Sequence, residues 1–456
     1  MRMCQVILPD NLKGFKIYMI GIKGTGMTAL AEILVSQGAV VSGSDVPENF
    51  YTDTALKKLN IKIFSPFSPD NIPEAVGLVI YSAAYSPDNN EEMYAVEQKD
   101  LPKMSYPEAI GALSRHSYSC GIAGVQGKTS TTGITGSILK ELKLPVSVLA
   151  GSVIKSFGDS CTMLGGSKYF VAETCEYKRH FLNFHPKKII LTGIESDHQD
   201  YYPTYESILT AFLQYIDRLP QFSELFYCAD DDGACEAARL SFSSRPDLIF
   251  IPYGEKASGD YKLTVSGVRD EKLYFSLAGF SGEFYLQIPG KHNALNAAAA
   301  IALSVSLLKE EYGELILSFD GSLPDGARAL DSNGLPVLSS SPMKIDIIRE
   351  DGYMVTRELG AEEPKSLIEL VPIGEKIEII VTAINPSGQW SGRAFHTVVS
   401  GQNHVKVLLN KNISGLNNLL FTQTKDLFST PPYNLTLYMN GKEINAPGST
   451  EEYSFA

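Results

Sequence analysis

The chain has 456 residues, 44% of them hydrophobic and 20% charged, and a formal net charge of −13. That length accommodates about three domains of ordinary size, and the acidic balance argues against a nucleic-acid footprint or a basic membrane-binding surface. No apolar run reaches the ~18 residues of a membrane span, the N-terminus does not read as a signal peptide, and six cysteines without C-x-x-C spacing read as reduced thiols of a cytoplasmic protein.

The first elements form a strand–turn–helix–strand unit. An apolar run, Lys16 to Ile20, leads into Gly21, Gly24, Thr25, Gly26 and Met27. A helical pattern through Ala29, Leu30, Ile33 and Leu34 ends near Gly38. A second strand follows and closes on Ser44 and Asp45, about twenty residues after the glycines. Gly21-x-x-Gly24-x-Gly26 is not the strict dinucleotide fingerprint, and a ligand-free tight turn competes with a diphosphate held by backbone amides at a helix N-terminus. With another buried strand at 77–81, residues 1–115 are expected to form a Rossmann-like domain.

The second segment, 116–318, is expected to be a P-loop α/β domain. After an apolar strand come Gly124, Val125, Gln126, Gly127, Lys128, Thr129 and Ser130, and then a helix-like run. Glycines let backbone N–H groups approach a phosphate chain, the lysine suits β/γ-phosphates and the threonine hydroxyl suits Mg²⁺. This is the shorter G-x-x-G-K-T form, because Ile122 stands where a longer loop has glycine. Two further strands end in polar residues, 169–172 before Glu173 and 188–192 before Glu195, Asp197, His198 and Asp200. Ligands of parallel sheets gather at such strand ends, so Glu173 and His198 become metal-ligand candidates; a surface carboxylate and a structural histidine are the plainer alternatives. The stretch 262–289 alternates like an antiparallel excursion. His292, Asn293 and Asn296 then open an Ala-rich helix, where Asn293 is either a helix cap or, with the other two, an adenine contact.

Residues 319–456 change character. Ser, Pro and Gly cluster at 321–342, and short β-branched runs follow at 376–384, 395–399, 405–409 and 435–439. Asn440-Gly441 signals a hairpin before Lys442. The tail reads as an all-β module, a small sandwich.

In order, five of these stretches resemble the Mur ligase family over about residues 14–318: the Gly21–Met27 turn with Gly43–Asp45, Ala123–Thr131, Glu173–Leu182, Thr192–Tyr202 and Gly290–Asn296. The resemblance implies an ATP-dependent, ADP-forming ligase of peptidoglycan precursor synthesis. It would join L-alanine to the lactyl carboxylate of UDP-N-acetylmuramate through an acyl phosphate. The resemblance places the UDP-sugar on Gly21, Gly24, Thr25, Gly26, Met27, Ser44 and Asp45. It places ATP on Gly124, Gly127, Lys128, Thr129, Ser130, His292, Asn293 and Asn296. It places Mg²⁺ on Thr129, Glu173 and His198, with Lys128, Glu173 and His198 as the catalytic set. Gln126, Gly193 and Lys23 depart from the residues usual in the family. The family's third domain is α/β and carries paired arginines and an Asp-Asp-Tyr-x-His motif. Here Phe319-Asp320-Gly321 fits its start, but neither motif follows, so the amino-acid site falls on no residue of 319–456. A non-catalytic UDP-sugar and ATP-binding protein, or a ligase that attaches a tripeptide to the same UDP-sugar, remain as alternatives. A generic P-loop kinase or GTPase is disfavoured by the first domain.

Overall fold

The computed structural model describes residues 8–320 and, beyond them, 343–349, 352–359, 366–372, 376–384, 390–398, 402–411, 433–439 and 442–443. It divides into two compact units, Met1–Val305 and Ser306–Ala456.

The first unit begins with a parallel five-stranded sheet: β1 (Lys16–Ile20), β2 (Val40–Ser44), β3 (Lys62–Phe64), β4 (Leu78–Tyr81) and β5 (Lys103–Ser105). Their order is β3-β2-β1-β4-β5, the doubly wound arrangement whose ligand crevice lies beyond the strand carboxyl ends. β1 and β4 read as continuous apolar runs because helices cover both faces; Tyr18, Met19, Val79 and Ile80 are fully buried. The helices are α1 (Thr25–Ser36), α2 (Asp53–Lys58), α3 (Glu91–Gln98) and α4 (Tyr106–His116). α4 starts with a capping box, Ser105 and Glu108 exchanging hydrogen bonds with each other's backbone, and Pro107 fits the first turn.

A seven-stranded sheet follows: β6 (Tyr118–Ala123), β7 (Val146–Ile154), β8 (Ser160–Leu164), β9 (Tyr169–Glu173), β10 (Lys188–Leu191), β11 (Glu224–Cys228) and β12 (Ile249–Tyr253). The order is β12-β11-β10-β6-β9-β7-β8, parallel throughout except for the edge strand β8, which pairs antiparallel with β7. The helices of this part are α5 (Lys128–Glu141), α6 (Tyr205–Ile216), α7 (Asp232–Ser244) and α8 (Lys291–Glu311). The excursion expected at 262–289 is an antiparallel meander of β13 (Leu263–Arg269), β14 (Lys272–Leu277) and β15 (Phe284–Leu286). Glu32 of α1 accepts hydrogen bonds from Ser160 and Thr162 of β8, so the helix that follows the first glycine turn is tied to the edge of the larger sheet.

The second unit is β-rich, as the sequence suggests. β16 (Tyr312–Asp320), β19 (Ser366–Pro372), β22 (Gln402–Lys411), β23 (Tyr433–Met439) and β24 (Lys442–Glu443) form one sheet; β17 (Met343–Arg349), β18 (Met354–Leu359), β20 (Lys376–Ile384) and β21 (Trp390–Val398) form another. Every pairing is antiparallel except β16 with β22. Asn440-Gly441 lies outside the described residues, but β23 and β24 on either side of it pair antiparallel. Residues 312–318, grouped from sequence with the central segment, pair with tail strands.

Candidate active site

The loop between β6 and α5 is held open by close backbone approach. Gly124 has φ +135° and would place a Cβ 2.1 Å from the Thr192 hydroxyl and 2.9 Å from the backbone of Gly193; Gly127 has φ +81°. Neither conformation suits an L side chain. The loop after β10 closes over it, with Val125 N–H donating to the Gly193 carbonyl at 2.9 Å and the Thr192 hydroxyl donating to the Ala123 carbonyl at 3.1 Å. Gly127 then caps α5, leaving the first-turn N–H groups of the helix directed at the loop, an arrangement that attracts phosphate. Ser130 lies exposed in that first turn.

Lys128 folds back across the loop. Its ammonium donates to the carbonyls of Gly124 and Val125 and to both carboxylate oxygens of Glu176, at 3.0 and 3.2 Å. One residue on, the Thr129 hydroxyl donates to Glu173 Oε2 at 2.8 Å, and the same oxygen accepts the Gly151 N–H at 2.8 Å. The sequence-based pairing of Thr129 with Glu173 is therefore present in the geometry.

His198 is placed differently from that pair. It has φ +50°, an uncommon left-handed conformation for a residue other than glycine, and its carbonyl accepts the N–H groups of both Tyr201 and Tyr202 at 2.8 Å. Its Nε2 lies 3.5 Å from Glu176 and 3.8 Å from Asp197, and its ring lies 4.7 Å from that of Tyr177. Glu176, Asp197 and His198 offer ligand atoms within 4.8 Å of one another. Oxygen and imidazole donors of this kind suit Mg²⁺ or Mn²⁺, so both the Thr129–Glu173 pair and this cluster fit a divalent cation. Sequence reasoning selected neither Glu176 nor Asp197 as a ligand: Asp197 was named only as one of the polar groups beside His198, and Glu176 stands three residues beyond Glu173.

On the other side of the loop lies a cleft of about 260 Å³ lined by Gln126, Gly127, Thr192, Asp230, His292 and Asn296, among others. Asn296 reaches the loop so closely that a Cβ on Gly127 would sit 2.7 Å from its Oδ1. His292 and Asn296 are thus brought to the P-loop. Asn293 is buried with its amide on the Pro289 carbonyl at 2.7 Å, tying down the start of α8. Cys228 also lines the cleft, and burial pushes its thiol up to about 11, so it is a neutral wall there.

In the five-stranded sheet, Gly21 has φ +80° and packs against Tyr85, and Gly26 packs against the Tyr106 ring. The Thr25 hydroxyl meets that of Tyr51, and Met27 is buried in α1. Ser44 is fully buried with its hydroxyl on Glu92, and Asp45 accepts the backbone N–H groups of Lys23, at 2.6 Å, and Val46. Lys23 in turn donates to the carbonyls of Val46 and Glu48 at 2.9 and 2.8 Å. The strand-end acid shapes the glycine turn, with Lys23 fastening the opposite loop to it.

Residues 16–118 match the model of the Mur ligase family, catalytic domain, and residues 122–304 that of the Mur ligase middle domain. Residues 310–405 match a different model, the TdpA protein N-terminal Ig-like domain. A UDP-N-acetylmuramate–L-alanine ligase of Treponema pallidum is 55% identical over 308 residues, 68% of this chain and 64% of that protein. The chain thus matches less than two thirds of that relative's length. The ligase of the same name from Borreliella burgdorferi is 32% identical over 435 residues, 94% of this chain and 89% of that protein. Among solved structures, a UDP-N-acetylmuramate–alanine ligase from Thermotoga maritima is 26% identical with a TM-score of 0.54, covering 64% of this chain and 65% of that one. A UDP-N-acetylmuramate:L-alanyl-γ-D-glutamyl-meso-diaminopimelate ligase from Neisseria meningitides shares the fold, at 22% identity, a TM-score of 0.56, and coverage of 64% of this chain and 94% of that one.

Proposed function

The chain belongs to the Mur ligase family, and from that premise we propose that it is a cytoplasmic ATP-dependent ligase of peptidoglycan precursor synthesis, joining L-alanine to the lactyl carboxylate of UDP-N-acetylmuramate. The observation that carries this reading is the Thr129 hydroxyl on the Glu173 carboxylate at 2.8 Å, at the mouth of a P-loop helix and next to the lysine of that loop. A hydroxyl and a carboxylate so placed would share a Mg²⁺, while the first turn of α5 and Lys128 would hold the phosphates of ATP.

His198, with Asp197 and Glu176, would hold a second cation. Bound there, divalent cations supply charge neutralisation between a carboxylate nucleophile and a polyphosphate, two groups that repel. The chain's own residues position the reaction. Lys128 moves from the Gly124 and Val125 carbonyls onto the phosphates. Asn296 and His292 flank the cleft where a purine would lie. Asp45 and Lys23 keep the Gly21–Gly26 turn in the shape that would receive the UDP diphosphate at the start of α1. Phosphoryl transfer then proceeds by placement and electrostatics, with little covalent work for the protein. The lactyl carboxylate takes the γ-phosphoryl group and ADP leaves; the free amine of alanine then attacks the acyl carbonyl, phosphate leaves, and the nitrogen gives up a proton.

A second reading rests on the tail. Its likeness to an Ig-like domain, in place of the third domain that carries the amine-binding motifs, favours a protein that binds UDP-sugar and ATP without completing acyl transfer. ADP release from ATP with UDP-N-acetylmuramate, measured with and without L-alanine, separates the two. Alanine-dependent turnover that disappears in Lys128→Ala supports the ligase. Tight binding of both nucleotides without turnover sinks it in favour of the binding protein, and turnover with the tripeptide L-Ala-γ-D-Glu-meso-diaminopimelate instead of alanine reassigns the acceptor.

A further inference from the structure

Glu176 is 2% exposed yet carries a carboxylate that meets two cationic or potentially cationic groups, Lys128 at 3.0 Å and His198 at 3.5 Å. A charge buried so deeply needs a partner at all times. Its backbone is fixed from two sides. The Tyr202 hydroxyl donates to its carbonyl at 2.6 Å, and the chain turns sharply after it through left-handed Lys178 and Arg179. With its backbone held, the carboxylate has only its own side-chain rotations with which to follow Lys128 when that side chain swings to a phosphate chain, and it already lies within 4.8 Å of ligand atoms of Asp197 and His198.

We propose that Glu176 is a positioning residue that parks Lys128 when no nucleotide is bound and, once nucleotide draws Lys128 away, becomes a ligand for the cation held by Asp197 and His198. This rests on the ligase reading, and concerns the order of loading of that site. Lys128 and a divalent cation compete for one buried carboxylate. Nucleotide phosphates remove one competitor and so promote the other, in addition to any direct attraction between phosphate and metal. By linkage the reverse holds, with cation binding loosening Lys128 for the nucleotide. Without a cation, nucleotide must extract Lys128 from its buried partner, which lowers the observed affinity.

Three variants test this without recourse to turnover. Lys128→Gln frees Glu176 in the absence of nucleotide, so Mn²⁺ binding to the nucleotide-free protein, followed by electron paramagnetic resonance, should tighten about tenfold, the scale of one charge-assisted hydrogen bond. That gain should vanish in Lys128→Gln/Glu176→Gln, which separates loss of a competitor from simple removal of a positive charge. Glu176→Gln should tighten binding of a fluorescent ATP analogue in EDTA, also about tenfold. Unchanged Mn²⁺ affinity in Lys128→Gln, or a gain that survives in the double variant, overturns the proposal. So does an unchanged metal-free nucleotide affinity in a folded Glu176→Gln protein. If Glu176→Gln does not fold, Glu176→Asp replaces it in both comparisons, keeping the buried charge but shortening its reach to Lys128 and to the cation. A wild-type protein that binds no nucleotide even with Mg²⁺ would refute the ligase reading, and the nucleotide-free Mn²⁺ measurement would still judge the role of Glu176.

Discussion

Replacing Gly124 by alanine tests whether the P-loop is built by backbone contact. Two costs add. At φ +135° the residue occupies a region that only glycine enters readily, worth about 1–3 kcal/mol for a side chain held there. The new methyl would also sit 2.1 Å from Thr192 Oγ1 and 2.9 Å from both the nitrogen and the oxygen of Gly193. The threonine could rotate, but the backbone of Gly193 is fixed by the Val125 N–H at 2.9 Å, so the two strand-end loops must separate. Overpacking of that kind costs about 1–3 kcal/mol. The sum, roughly 2–6 kcal/mol, is concentrated at the carboxyl ends of β6 and β10. Gly127→Ala offers the internal comparison. Its methyl would meet only the end of the Asn296 side chain at 2.7 Å, which can turn away, so about 1–2 kcal/mol of left-handed strain is expected. Hydrogen exchange of peptides spanning 118–131 and 188–196, together with calorimetry, is the suitable assay. Faster exchange in both segments for Gly124→Ala and a smaller change for Gly127→Ala are expected. Protection within about 0.5 kcal/mol of wild type in Gly124→Ala would refute the idea that close backbone approach builds the loop.

Three other outcomes follow from the same geometry. Glu173→Gln keeps the Thr129 bond but removes a cation ligand, so ADP release should fall about a hundredfold or more, with the Mg²⁺ concentration needed for half-maximal rate rising; an unchanged Mg²⁺ requirement would remove Glu173 from the metal site. His185 accepts from Arg115 at 2.8 Å and lies 3.1 Å from Arg218; burial, then these charges, lowers its imidazole from 6.5 to about 4. The unfolded chain takes up a proton below pH 6.5 that the fold refuses, so the neutral ring favours the fold at pH 7 and that advantage is lost as pH falls toward about 4. Because the ring is partly exposed, about 1 kcal/mol is expected after screening, and urea midpoints at pH 7 and 4.5 should differ less for His185→Asn than for wild type. Phe181 is 2% exposed, stacked on Tyr215 at 4.6 Å and edge-on to Phe212 at 5.3 Å. Phe181→Ala should cost about 3–5 kcal/mol by calorimetry, and a loss under about 1 kcal/mol would mean that the cluster does not hold the segment following Glu176.

How far the sequence discloses this site depends on the kind of residue. The strand–glycine–helix units were legible because parallel strands buried on both faces read as apolar runs and their turns need glycine. Gly21, Gly124 and Gly127 all take positive φ. Thr129 and Glu173 were legible because one opens a helix and the other ends a strand pointing at it. Glu176 was not, although it is only three residues beyond Glu173. After β9 the chain passes through a short 3-10 segment with two left-handed residues, Lys178 and Arg179, and no period predicts the direction of a side chain across such a kink. Asp45 shows the opposite limit. The resemblance names it for the UDP-sugar, and its carboxylate also accepts the backbone N–H groups of Lys23 and Val46, a task its spacing from the glycines does not reveal. Spacing alone does not distinguish an acid that touches a ligand from one that shapes the turn touching it.

The residues proposed to hold a nucleotide and its cations lie at strand ends and helix starts of the first unit: α5, the loops after β9 and β10, and the start of α8. The strands that lead into these loops are paired inside the parallel sheet, Ile122 with Glu173 and Ala123 with Leu191. Binding and activation of ATP are therefore properties expected of the first unit's own architecture. Capture of the amine is a separate requirement, because a nucleophile must be desolvated and aimed at the activated carbonyl within about 3–3.5 Å. Nothing among the described residues of β16–β24 is assigned that task by the family motifs. A chain that forms acyl phosphate but passes it to water would release ADP at a rate indifferent to alanine, and the alanine dependence of turnover, more than turnover itself, is the quantity that decides what this two-part molecule does.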